Sequence, residues 1–326
     1  MSSVTTARTP SGTSPAAVPT RARPRIGAMV WTALFAVGCV FLAYLAITIP
    51  AFRWDIVAKY FFSAQIVAGL VNTIVLTVVA MLIGVALGTV LAVMRGVRTK
   101  AVSAAAGLYI WFFRGTPVLV QLIFWFNLAS LLPRLSLGIP FTDTVFASVD
   151  TNTLISPYTA ALLGLGLNQA AYTAEIVRAG ILSVPRGQLD AASSLGMTRL
   201  LTMRRVVLPQ AMRVIIPPIG NETIGMLKAT SMVSVLAMPD LLFSAQVIYA
   251  KNYQIIPLLI TASIWYLLLT SILTVVQGRI ERRFSPHEQV LQAGRGRVRG
   301  FLTRARRFHD TDAAEQESTA AREDHR

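Results

Sequence analysis

Six stretches of nearly unbroken apolar residues, at 27–49, 68–94, 104–132, 158–177, 214–237 and 256–276, alternate along this chain with shorter polar or charged segments. The first holds 23 residues and as a helix rising 1.5 Å per residue reaches about 35 Å, enough to cross a hydrocarbon core. A cleaved signal peptide would normally have an apolar region of only about 7 to 15 residues, so an uncleaved span is the better reading. The pattern predicts an all-α integral membrane protein of six transmembrane helices.

Within the spans the exceptions to apolarity carry the information. Ala80, Gly84, Gly88 and Ala92 repeat every four residues, a small-residue stripe that lets helix backbones approach closely, within one subunit or between two. Arg114-Gly115-Thr116-Pro117 interrupts the third span, and the proline predicts a kink or a fresh helix start. Arg114 is either the anchor of an inner gate or a side chain snorkelling from a helix end. On the fourth span Gly164, Asn168, Tyr172 and Glu175 share one face, with Arg178 in reach of Glu175. The fifth span holds Asn221, Glu222 and Lys228. Glu222 and Lys228 are six positions apart, so they point about 120° from each other. The more polar stripe of Asn221, Lys228 and Ser231 makes Lys228 the expected pathway residue and Glu222 a brace between helices. Arg114, Asn168, Tyr172, Glu175, Asn221, Glu222 and Lys228 are thus the candidates for a pathway or gate.

Between the fourth and fifth spans lies a polar, basic segment, Tyr172 to Pro209. Pro185 suits a first helical turn, Gly196 a left-handed stop, and Thr198 an N-cap for a second helix from Arg199 to about Val207. Ala191 and Ala192 leave the first of these short helices bare on one side, which reads as a docking face for another protein.

Composition and charge narrow the class and set the orientation. The chain has 326 residues, 54% hydrophobic and 14% charged, with a mean hydropathy of +0.59, far too apolar for a soluble domain of this size. Residues 1–26 are rich in Ser, Thr, Pro and Ala, carry Arg8, Arg21, Arg23 and Arg25 without an acid, and predict a disordered tail. Residues 284–326 form a second, Arg-rich tail, expected to lie on anionic lipid or in solvent rather than on nucleic acid. The three outer segments hold only Arg53, Lys59, Arg134 and Lys251, whereas six basic residues lie between Arg178 and Arg213 and eleven follow the sixth span. The positive-inside bias therefore puts both termini and the 185–209 loop in the cytoplasm of a cell-membrane protein. All three histidines, His287, His309 and His325, lie in the C-terminal tail, and Cys39 is the one cysteine. No metal or acid–base cluster is expected within the spans. No phosphate-binding G-x-x-x-x-G-K-[ST] segment occurs, so ATP must be handled elsewhere.

Asp190, Ala191 and Ala192, followed by Gly196, Val206, Leu208 and Pro209, resemble the EAA loop of ABC-importer permeases, with Asp for Glu and Val for Ile. RGTPVLVQL at 114–122, AYTAEIVRAGI at 171–181, LPQAMR at 208–213 and PPIGNETIGMLKATS at 217–231 extend the likeness to the polar amino-acid branch over about residues 68–281. That resemblance implies a type I ABC-importer transmembrane domain with one extra N-terminal span at 27–49, a transporter and not an enzyme. It implies two ABC ATPase subunits that hydrolyse ATP with its Mg, a second permease copy or paralogue, and an extracytoplasmic substrate-binding protein. Asp190, Ala191, Ala192, Gly196, Leu208 and Pro209 would then form the ATPase coupling site. The rival classes are an ATP-independent secondary transporter or channel and a membrane enzyme; the docking loop speaks against the first, and the missing nucleophile motifs against the second.

Overall fold

The computed structural model describes residues 26–138 and 145–284. The expectations for both tails fall outside these residues, as does the tip of the outer loop. The chain divides into two compact units, one up to Phe52 and one from Arg53 onward. The first contains α1 (Ile26–Thr48) and a 3-10 turn at Pro50–Phe52. Its apolar residues, among them Trp31, Leu34, Phe35, Val37 and Phe41, leave no polar face, the pattern of a helix solvated by lipid or core.

The second unit begins with a short helix α2 (Trp54–Phe61), which leads into α3 (Ala64–Gly96). Sequence reasoning left α2 as an outer segment; it is held as a helix because Ile56 and Tyr60 pack on a cluster formed by Leu70, Leu258 and Ala262. Phe61 stacks on Trp265 at 4.7 Å, and the Trp265 indole donates to the Phe61 carbonyl at 2.9 Å.

The 104–132 segment is not one straight span. It forms α4 (Lys100–Gly115) and α5 (Val118–Phe126), which meet at an angle of 101°. Pro117 has no N–H for the Phe113 carbonyl, so the ladder breaks there. Gln121 Nε2 at 3.0 Å and Asn168 Nδ2 at 2.8 Å donate to that carbonyl instead.

A correction to the all-α expectation follows. Past the one-turn helix α6 (Leu128–Leu131), β1 (Arg134–Gly138) pairs antiparallel with β2 (Val145–Asp150), setting Arg134 opposite Asp150 and Ser136 opposite Ser148. The alternation Arg-Leu-Ser-Leu was the period-two signal for a strand. The one-turn α7 (Thr151–Leu154) leads into α8 (Pro157–Leu182), whose N-cap Ser156 accepts from the Thr159 N–H.

The small-residue stripe of α3 packs along α8 within the same chain. A Cβ placed on Gly84 would lie 2.6 Å from Gln169 Cγ, and one on Gly88 would lie 2.6 Å from Thr173 Cβ. Because Gly84 meets Gln169 and Gly88 meets Thr173 at the same sequence offset, the two helices run parallel.

Beyond α8, the chain forms α9 (Arg186–Ser194), α10 (Arg199–Thr202) and α11 (Leu208–Ala229), the last followed by a 3-10 stretch at Thr230–Leu236. Then come α12 (Leu241–Asn252) and α13 (Ile255–Phe284). Sequence reasoning missed α12. Asp240, fully buried, caps it by accepting from the N–H groups of Leu242 and Phe243, while the Tyr266 hydroxyl donates to the same carboxylate at 3.3 Å. Among the described residues α3 and α13 are long and apolar enough to cross a membrane, and up to four such spans result if each bent helix pair counts as one.

Candidate functional site

Two features stand out: the loop between α8 and α11, and a cavity between those same helices. The loop is built by local rules. Pro185 precedes α9 as its N-cap, one position ahead of the first turn where it was expected, with φ of −59° that feeds directly into helical backbone. At the other end Gly196 takes φ of +70°, its N–H donates to the Ser193 carbonyl at 2.9 Å, and the Met197 N–H donates to the Ala192 carbonyl at 3.1 Å. This pair of bonds is the Schellman stop, which needs a left-handed residue at the position Gly196 holds. The Thr198 hydroxyl then accepts from the Leu201 N–H.

The helix begun at Arg199 does not end near Val207, as the sequence pattern had suggested. Met203–Val207 form a single π turn, closed by the Leu208 N–H on the Met203 carbonyl, and the chain continues without a break into α11. Pro209 explains the wide turn: it has no N–H, and its ring crowds the carbonyl four residues back. The loop therefore joins α11 as a rigid extension.

Of the proposed coupling residues, Asp190, Ala191, Gly196, Leu208 and Pro209 are exposed, but Ala192 is only 3% exposed. Ala192 thus holds α9 to the body and does not belong to the bare face. The most exposed large apolar residues of the loop are Leu195 at 81% and Leu200 at 79%. Burying a leucine fully is worth about 1.5–3 kcal/mol, so this tip is a costly surface unless something covers it. Val184, Val207, Ala211 and Ile215 form the buried cluster at the root of the loop, and Gly180 of α8 lies against Ile215 of α11.

The cavity, a half-open pocket of about 190 Å³, is lined by Val118 of α5, by Asn168, Gln169 and Tyr172 of α8, and by Glu222, Gly225 and Ala229 of α11. Its size falls below the range of about 300–1,000 Å³ typical for drug-sized ligands and suits one small metabolite. Gln169 Nε2 donates to Glu222 Oε2 at 3.3 Å. Arg114, at the end of α4, stands with its guanidinium carbon 5.2 Å from the centre of the Tyr172 ring. Glu175 pairs with Arg178 at 2.7 Å, one turn beyond the cavity on α8.

The cavity brings together Asn168, Tyr172 and Glu222 and excludes Asn221 and Lys228, both of which lie on exposed faces of α11. Glu222, expected as a brace between helices, meets Gln169 of α8 and also lines the cavity, whereas Lys228, expected on the pathway, stands on an exposed face of α11 outside this lining. Gly225 and Ala229 share the face of Glu222 and leave space beside it. Gln169 was missed. Its 4% exposure follows from the seat that Gly84 provides on α3, a long-range fit with no local signal.

Residues 84–286 match the family of binding-protein-dependent transport system inner membrane components. The chain is 43% identical over 241 residues to the arginine transport system permease protein ArgU of Corynebacterium glutamicum, covering 73% of this chain and 74% of that protein. It is 36% identical over 234 residues to the L-cystine transport system permease protein TcyB of Bacillus subtilis, covering 72% of this chain and 92% of the relative. Among solved structures, an amino acid ABC transporter crystallised with histidines superposes with a TM-score of 0.59 at 36% identity, over 69% of this chain and 97% of its own.

Proposed function

We propose that this chain, which belongs to the family of binding-protein-dependent transport system inner membrane components, turns ATP hydrolysis in partner subunits into movement of the α8–α11 cavity. It has the type I ABC-transporter transmembrane fold and is a permease subunit of an importer for polar amino acids, a transport protein rather than a catalyst. The observation that carries the mechanism is connectivity. The helix that enters the loop, α8, and the helix that leaves it, α11, are the two that supply Asn168, Gln169, Tyr172 and Glu222 to the cavity.

In this reading α9, with Asp190, Ala191, Leu195 and Gly196 at its open side and tip, docks in a groove of an ATPase subunit. Closure of two such ATPases on ATP and Mg pushes α9. The push reaches α8 through residues 183–185 and α11 through the π turn, against which α9 packs. The cavity then opens alternately to each side of the membrane. Leu208 and Pro209 transmit the motion by keeping the turn and α11 in one piece.

The working complex contains this chain, a second permease copy or paralogue, two ATPases and an extracytoplasmic binding protein that delivers the amino acid. Six spans with both ends in the cytoplasm fit the distribution of basic residues. The parallel course of α3 and α8 supports this, since both must then cross in the same sense. α1 is the additional N-terminal span and residues 68–281 the permease domain proper. The tails at 1–26 and 284–326 lie on the cytoplasmic side.

The test is reconstitution. Vesicles holding this chain with its ATPases facing the lumen and the binding protein outside should take up labelled amino acid only with ATP in the lumen, on the ATPase side. Uptake driven equally well by an ion gradient without ATPases would instead favour a secondary transporter.

A further inference from the structure

Between the loop and the cavity, α11 passes through a weak point. Ala211 and Ile215 belong to the cluster at the root of the loop, whereas Glu222 and Gly225 line the cavity. Pro217 and Pro218 stand between them, inside the helix. Neither has an N–H, so the carbonyls of Arg213 and Val214 lose their partners four residues on, and a helix interrupted in this way bends readily. A push delivered at the loop would be absorbed there as bending before it reached Glu222. The segment is braced from α13. Gln277, only 6% exposed, donates through Nε2 to the Pro217 carbonyl at 2.8 Å and to Glu281 Oε1, one turn along its own helix, at 3.0 Å. The two bonds use both N–H groups of the amide and fix which way round it sits. Gly220, three positions beyond Pro217 on the same face of α11, makes room for it, because a Cβ there would fall on the Gln277 amide oxygen. For packing alone an apolar side chain of the same length would serve better, since a buried amide is costly unless it is hydrogen-bonded.

We propose that Gln277 is a positioning residue for transport: by holding the Pro217 carbonyl and filling the seat at Gly220 it stiffens the proline break in α11, so that movement of the loop arrives at the cavity. Glu281 keeps the amide turned toward Pro217. The inference rests on the importer reading and adds the contact that makes α11 stiff enough to serve it. α13 thereby takes part in coupling although it supplies no residue to the cavity lining.

The experiment measures amino acids imported per ATP hydrolysed, in vesicles holding the full complex with binding protein outside and ATP in the lumen. Gln277→Met keeps the length and packing of the side chain and removes the donor. It should lower the ratio by about threefold to tenfold, the factor that a lost hydrogen bond carries, while the ATPases still copurify. Gly220→Ala should do the same, since the atom its Cβ meets is the end of a flexible side chain, which swings away and leaves the fold intact. The double variant should be no worse than either single one, because both remove the same contact. Pro218→Ala supplies an N–H for the Val214 carbonyl and closes one gap in the ladder, so adding it to either single variant should restore the ratio. An unchanged ratio in either single variant, losses that multiply in the double, or failure of Pro218→Ala to restore the ratio overturns the proposal; the last result would mean that Gln277 only packs α13 against α11. If Gln277→Met does not assemble, Gly220→Ala measured with and without Pro218→Ala decides alone. A wild-type complex that imports nothing with ATP overturns the importer reading itself, whereas a wild-type complex that imports and is matched by the variants overturns only the brace.

Discussion

Gln169 on α8 donates its side-chain N–H to the carboxylate of Glu222 on α11 across 3.3 Å. The bond ties the helix that enters the coupling loop to the helix that leaves it, at the wall of the cavity both helices line. A buried donor or acceptor left unsatisfied costs about 1–3 kcal/mol, so this pair resists separation of α8 and α11 unless a ligand takes the place of one partner.

Glu222→Leu should therefore reduce both uptake and complex stability, because Gln169 loses its acceptor on α11 and keeps only Thr173 Oγ1 of its own helix, at 3.4 Å. Lys228→Met, on an exposed face of α11, should leave equilibrium binding of the amino acid within about twofold of wild type, as surface changes away from a site usually do. Binding isotherms and melting curves of the detergent-extracted complex check both. Loss of binding in Lys228→Met with a wild-type Glu222→Leu would restore the opposite assignment.

The parallel packing of α3 on α8 depends on two missing side chains. Gly88→Ala puts a Cβ 2.6 Å from Thr173 Cβ and 2.7 Å from the Ala170 carbonyl oxygen, an overpacking that should cost about 1–3 kcal/mol. Gly96→Ala, with nothing within 4 Å, is the matched control. A lower melting temperature for the first alone is the expected result.

Asp240→Ala should destabilise the complex by about 0.5–2 kcal/mol, since it strips the N-cap from α12. Tyr266→Phe should cost less, as it removes one of the three hydrogen bonds to that carboxylate. Thermal unfolding of the two variants side by side ranks them.

How much of this was legible in the sequence depends on the range of the cause. Local rules placed Gly196 in a left-handed stop, Thr198 as a cap and Pro117 at a break, because each acts within one turn of itself. The hairpin escaped because its alternation covers only five residues at Arg134–Gly138, too short to outweigh a loop reading. The π turn at Met203–Val207 was hidden because the same proline that marks a helix start also tolerates a widened turn behind it. Gln169 and the seat for it on Gly84 lie far apart in sequence and meet only when α3 and α8 pack. The place of Glu222 on the cavity wall depends on the space that Gly225 and Ala229 leave beside it, and a count of polar residues per face does not register empty space.

Gly196→Pro should uncouple transport, because proline is held near φ of −65° while Gly196 sits at +70°. Gly196→Ala, which pays roughly 1–2 kcal/mol for left-handed backbone, should retain partial uptake. With surface expression matched, initial uptake rates in vesicles should fall in the order wild type, alanine, proline; a proline variant that transports like wild type would contradict the account of this turn.

The most direct test of the coupling claim is the ATPase rate of the reconstituted complex with Leu195→Asp and Leu200→Asp introduced together. Both side chains are about four-fifths exposed in the isolated chain and touch nothing in the cavity, so the variant should fold and bind amino acid as wild type does. The account predicts that its ATPase subunits no longer copurify and that loaded binding protein no longer stimulates hydrolysis. Wild-type copurification together with wild-type stimulation would show that the motor engages this chain elsewhere.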